Sequence, residues 1–152
     1  MKRFRFPLRP VAVLRAHREI RARESFAAAV HAYVQSEEFL AATRARVAHF
    51  EAALFAGRRG TFNPTEEAQQ LNAYRRECDA EGQAERATFA ARAAMDRARA
   101  DYLDAHRKLE VVNRLEAKSR LDHRLAANRE EQAEFDDFAT RRAMRRSPLF
   151  SP

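Results

Sequence analysis

Histidines, a cysteine and paired carboxylates are the side chains with which this chain could hold a metal or move a proton. The histidines stand at 17, 31, 49, 106 and 123. No two have the three- or four-residue spacing that places a pair of ligands on one helical face, so a metal site would need a long-range encounter. Cys78 is the only cysteine, which leaves no internal disulfide or cysteine-rich zinc site and fits a reducing compartment. Glu130 with Glu131 and Asp136 with Asp137 could do acid–base work only in a concave, desolvated setting that raises a carboxylate pKa. Their surroundings read instead as a solvated helix face. Gly-rich phosphate loops, HExxH and GxSxG are absent. The chain reads as non-enzymatic, with no cofactor and no metal.

The spacing that does stand out belongs to structure. Ala84, Thr88, Ala91, Met95, Ala98, Tyr102, Ala105, Leu109 and Val112 alternate four and three residues apart, a coiled-coil seam. One seam position is nearly always alanine, so a partner helix can approach closely while the larger side chains fill the gaps. No proline lies between Pro64 and Pro148, and the chain has only 3 Gly. A helix of roughly 80 residues, about 120 Å long, fits that stretch. With 34% charged residues and no Trp, and a mean hydropathy of -0.67, little is left for a wide core, but a two-helix seam needs only a narrow stripe.

A first helix precedes the one real turn. Phe26, Tyr33, Leu40, Val47 and Leu54 recur every seven residues, and Val13, Ile20, Ala27, Val34, Ala41, Ala48 and Phe55 form an adjacent row, predicting the matching face. Gly57, Arg58, Arg59 and Gly60 then lead to Asn63 and Pro64. Asn63 suits an N-cap, Pro64 the first helical position, and Glu66 can reach back as in a capping box. The expected fold is all-α: an elongated antiparallel two-helix coiled-coil hairpin in one domain, 1–152. Helix one spans about 10–56, the turn 57–63 and the longer helix two about 64–146.

Unequal arms leave the second helix projecting past Val111 by on the order of 50 Å. That stretch still carries Val111, Val112, Leu115, Leu121, Leu125, Phe135 and Phe138. Phe4, Phe6 and Leu8 could fold over its first turns, whereas its far end calls for another protein, because a lone helix with an apolar stripe is poorly stable in water. Residues 1–25 hold eight Lys or Arg against two Glu, and 140–152 hold four Arg and no acid. The expectation is a rod with one basic end. In the centre, Arg is interleaved with Glu and Asp at helical spacings, as on a salt-bridged solvent face. The longest apolar runs, such as 26–30, are too short to span a bilayer, so any membrane association would be peripheral. Pro7 and Pro10 interrupt the amphipathic helix that an organellar transit peptide would need.

Both ends resemble one family. The opening FRFPLRPVAVLRAHR resembles the start of the FliJ proteins of bacterial flagellar export, with Phe4, Phe6, Leu8 and Leu14 at its alternating aromatic and aliphatic positions. The closing NREEQAEFDDFATRRAMRR is similar to the family's C-terminal segment, where Gln132, Phe135, Asp136, Asp137, Phe138, Ala139, Ala143 and Met144 match a glutamine, an acidic pair beside aromatics and a basic end. The resemblance implies an antiparallel coiled coil like the rotor stalk of rotary ATPases. Its pole bearing both termini would enter the hole of the hexameric export ATPase FliI and promote ring assembly and activity. Carried onto this chain, the implied ATPase-binding set is Phe4, Phe6, Leu8, Leu14, Gln132, Phe135, Asp136, Phe138, Arg142, Met144 and Arg145, with Arg141 and Arg146 flanking it.

The resemblance also implies contact with the export gate FlhA and with export chaperones through the part of the hairpin near the loop. Phe39, Phe50 and Tyr74 correspond there, while Thr43 and Arg46 replace larger apolar groups; for the three aromatics, ordinary seam packing is the competing reading. A cytoplasmic protein follows, monomeric alone, peripheral at the inner face of the membrane through its partners, and not a nucleic-acid binder. Other classes remain open: a generic coiled coil that self-associates into dimers or tetramers, a basic adaptor for nucleic acid or acidic membrane whose binding falls steeply with salt, and the equivalent stalk of a virulence-type secretion system. The N-terminal aromatic motif favours the flagellar one.

Overall fold

A computed structural model describes residues 3–61 and 63–146. They form two helices, α1 (Arg9–Gly57) and α2 (Pro64–Arg146), and no strand among the described residues. Residues 1–2, Phe62 and residues 147–152 lie outside them.

Two compact units divide the chain, one comprising Arg18–Ala105 and the other Met1–His17 with His106–Pro152. Within Arg18–Ala105 the helices form a hairpin. Arg46 Nε reaches Glu77 at 3.1 Å, and Arg44 reaches Glu81 at 3.2 Å and Glu85 at 2.8 Å. Thr88 Oγ1 lies 3.1 Å from the Ser36 carbonyl, and Phe26 stacks on Tyr102 with centroids 6.1 Å apart. Positions descend along α1 as they rise along α2, so the pairing is antiparallel. The exposed ion pairs add little stability and mainly record the register.

Every member of the predicted row from Ala84 to Val112 is buried or half-buried, with Ala84, Ala98 and Val112 deepest. On α1 the first predicted row, Phe26, Tyr33, Leu40, Val47 and Leu54, is likewise half-buried. Half-burial of such a side chain contributes roughly half of the 1.5–3 kcal/mol that full burial gives. The second predicted row is not in the seam. Ile20, Val34 and Phe55 are 47%, 43% and 62% exposed, and Val13, Ala27, Ala41 and Ala48 also face outward. Each member stands one residue past a seam position, and one residue turns the helix by about 100°. The second seam row is Ala22, Ala29, Ser36, Thr43 and Phe50, mostly small residues that permit the close approach.

The turn is held by Arg59 N–H donating to the Ala56 carbonyl at 3.1 Å and Gly60 N–H to that of Gly57 at 3.3 Å. Asn63 Oδ1 accepts from the Thr65 amide at 3.2 Å, which makes it the N-cap of α2. Among the described residues no bond runs from the Asn63 amide to Glu66, so the cap rests on Asn63 alone. No glycine adopts a positive φ.

Candidate functional site

The residues that the family resemblance singles out near both termini fall in one unit, Met1–His17 with His106–Pro152. The chain before α1 cannot begin a helix early, because Pro7 and Pro10 remove amide donors. It closes instead with the Arg9 amide donating to the Phe6 carbonyl at 3.2 Å. This sets Phe4 against α2, where its ring meets the edge of His123 at 5.4 Å and lies under the Arg120 guanidinium at 5.6 Å. Arg120 also reaches Glu116 Oε1 at 2.8 Å, and Arg9 approaches the same oxygen at 3.5 Å. Phe4 and Phe6 are half-buried, whereas Leu8 and Leu14 are 41% and 49% exposed. An open groove of about 1080 Å³ runs between this segment and α2, with Arg3, Arg5, Arg9 and Arg120 set against one acid, Glu116.

This packing moves the start of the uncovered part of α2. Val112 is 7% exposed, and the seam line continues from it through half-buried Glu116, Ser119, His123 and Ala127. The projection therefore begins after Ala127, not after Val111, because Phe4 and the first turn of α1 cover the intervening turns. Val111, Leu115, Leu121 and Leu125 face outward from the covered stretch. Beyond Ala127 the same line meets Glu130, Glu134, Asp137 and Arg141, charged positions that offer no apolar seam.

From Asn128 to Arg145 every residue is exposed. Gln132 donates to Asp136 Oδ1 at 3.1 Å and Thr140 to the Asp136 carbonyl at 2.8 Å, local bonds one helical turn apart. Phe135, Phe138 and Met144 are 69%, 66% and 72% exposed. Glu131 and Glu134 border the two phenylalanines in an open groove of about 420 Å³. Arg142 follows Phe138 by one helical turn and Arg145 lies one turn further. Phe4 with Phe6 and the uncovered segment thus occupy separate stretches of this unit, the first packed and the second open. Nothing is described of the Arg146 side chain.

Phe39, Phe50 and Tyr74 belong to the other unit and divide. Phe39 is 58% exposed, with the Arg46 guanidinium 6.0 Å from its ring. Phe50 and Tyr74 are half-buried, Phe50 edge-on to His49 at 6.3 Å and Tyr74 beside Cys78, whose thiol is the main influence raising the phenol pKa. Thr43 is fully buried, donating to the Phe39 carbonyl at 2.9 Å and accepting from Arg46 at 3.0 Å. Two further aromatics lie open that the sequence reading did not single out as surface. Phe89 is 79% exposed, off the seam row between Thr88 and Ala91, and Phe55 carries the Arg58 guanidinium at 6.0 Å. Phe89 could have been found from its break with the seam spacing.

Among the described residues no group of three His, Cys, Asp or Glu side chains could hold a metal, and no helix is long and apolar enough to cross a membrane. The arrangement is suited to docking. No curated protein and no solved structure matches the chain. The profile of the flagellar FliJ protein family matches residues 4–148, nearly the whole length. A chain with two helices, a capped turn and these terminal motifs, matched over that span, belongs to the flagellar FliJ protein family, a non-enzymatic component of flagellar protein export.

Proposed function

We propose that this protein binds the hexameric export ATPase FliI, promotes its assembly and activity, and links it to the export gate FlhA and to export chaperones. The observation that carries the reading is the last turns of α2, where Phe135, Phe138 and Met144 stand uncovered among Arg141, Arg142 and Arg145. Apolar anchors flanked by cations suit a pore lined by apolar and acidic loops, since the anchors supply affinity and the charges steer entry. Phe4, Phe6, Leu8, Leu14, Gln132 and Asp136 complete the ATPase-facing set. Phe39 is the outward-facing candidate for the gate. The protein works in the cytoplasm as one domain, peripheral to the membrane through these partners.

The test is ATP hydrolysis by the cognate export ATPase with and without this protein, alongside sedimentation to detect hexamers. Stimulation with ring formation is expected at moderate salt. Phe135→Ala with Phe138→Ala abolishes the stimulation while helicity stays nearly unchanged, since neither ring is packed. A folded wild-type protein without effect on hydrolysis or assembly overturns the reading.

A further inference from the structure

The uncovered segment has an order of side chains that is complementary to itself. Glu131, Phe135, Phe138 and Arg142 follow one another at spacings of four, three and four, the repeat that lines one helix face. All four are exposed, and Glu131 and the two phenylalanines border one open groove. Reversing the direction of such a stripe leaves its spacing unchanged and exchanges the acid for the base. Two copies laid antiparallel about a twofold axis between Asp136 and Asp137 set Glu131 opposite Arg142 of the second copy and Phe135 opposite its Phe138. Both contacts occur twice, as an isologous interface requires. Parallel pairing would instead oppose Glu131 to Glu131 and Arg142 to Arg142, so charge selects the antiparallel arrangement.

We propose that the end of α2 is a self-association surface, through which two copies of this chain pair antiparallel with Phe135 and Phe138 at the centre and Glu131–Arg142 ion pairs on either side. Two phenylalanines per copy cover far less than the roughly 1,200 Å² of a stable interface, so the dimer is weak, with a dissociation constant on the order of 0.1 mM. The dilute chain is then the monomer expected from an intramolecular hairpin. The same face cannot serve a second copy and another partner at once.

Sedimentation velocity on the isolated full chain, from about 10 µM to about 1 mM at low salt, tests this without reference to any ATPase. The wild type is expected to shift from monomer to dimer over that range. Glu131→Arg and Arg142→Glu each place like charges in both contacts and should weaken association at least about tenfold. An equimolar mixture of the two variants restores opposite charges at both contacts and should dimerise like the wild type, as should the double variant Glu131→Arg with Arg142→Glu. A wild type that stays monomeric at 1 mM overturns the proposal. So do single variants that associate as well as wild type, or a mixture and double variant that associate no better than either single variant.

Discussion

Glu19 and Thr43 occupy seam positions, at 3% and 0% exposure, and each is satisfied within its own helix. Arg23 reaches the Glu19 carboxylate at 2.6 Å, and this bond raises the guanidinium pKa. Thr43 is closed by the Phe39 carbonyl and Arg46. Local satisfaction matters because a buried polar atom without a partner costs about 1–3 kcal/mol. Tyr33 uses the same device on the surface: its hydroxyl donates to Glu37 one turn on, and this bond is the main reason its pKa is raised. A phenol held above its unfolded value lends stability that is complete below the ordinary pKa of about 10 and is lost as pH rises through the folded value. Glu37→Ala should therefore bring the Tyr33 phenol back towards the ordinary value and shrink the alkaline loss of stability. NMR titration of the Tyr33 ring together with melting measured between neutral and strongly alkaline pH checks both effects.

At the scale of elements, the seam joins a large row to a small one, and the small row sets how closely the helices pack. Replacing Ala91 and Ala98 with Leu overpacks it, at about 1–3 kcal/mol per site, and should lower the melting temperature measured by circular dichroism. Gly82→Ala should act in the opposite direction. Gly82 lies inside α2, its φ is not positive, and a Cβ there would meet only the mobile tip of Arg86 at 3.8 Å. Alanine should therefore add about 0.5–1 kcal/mol through backbone entropy. The sequence exposes these elements unevenly. Asn63 and Pro64 mark the start of α2 through local chemistry, and the seven-residue recurrence of Phe26, Tyr33, Leu40, Val47 and Leu54 marks the buried face of α1. Ala22, Ala29, Ser36 and Thr43 were not legible as the second row, because small and hydroxyl side chains are as common on a solvent face as in a tight seam. The limit of the covered part of α2 was hidden for another reason. Glu116, Ser119 and His123 look like surface residues, and the long-range contacts of Phe4 with His123 and of Arg9 with Glu116 show that they are not. Phe135 and Phe138 were legible as uncovered, since the seam positions around them carry charge.

For the whole molecule, net charge separates two explanations of binding. The chain carries +7, yet residues 128–152 hold five Arg against five Asp or Glu and contribute nothing to that total. Ending the chain after Ala127 therefore leaves the net charge at +7 and removes none of the buried or half-buried side chains described here. A protein that bound nucleic acid or an acidic membrane through its basic excess would lose the arginines of 140–152 but keep the share of its salt-dependent affinity owed to residues 1–25, with eight Lys or Arg against two Glu, because that affinity follows the number of phosphates neutralised. A protein that engages an ATPase ring through Phe135, Phe138 and Met144 loses its effect entirely. The expected outcome is a truncated chain with an unchanged melting temperature, a proportionally smaller helical signal and no stimulation of ATP hydrolysis. Stimulation that survives the truncation would move the contact to the basic groove around Phe4 and Arg120, where Phe4→Ala should then abolish it.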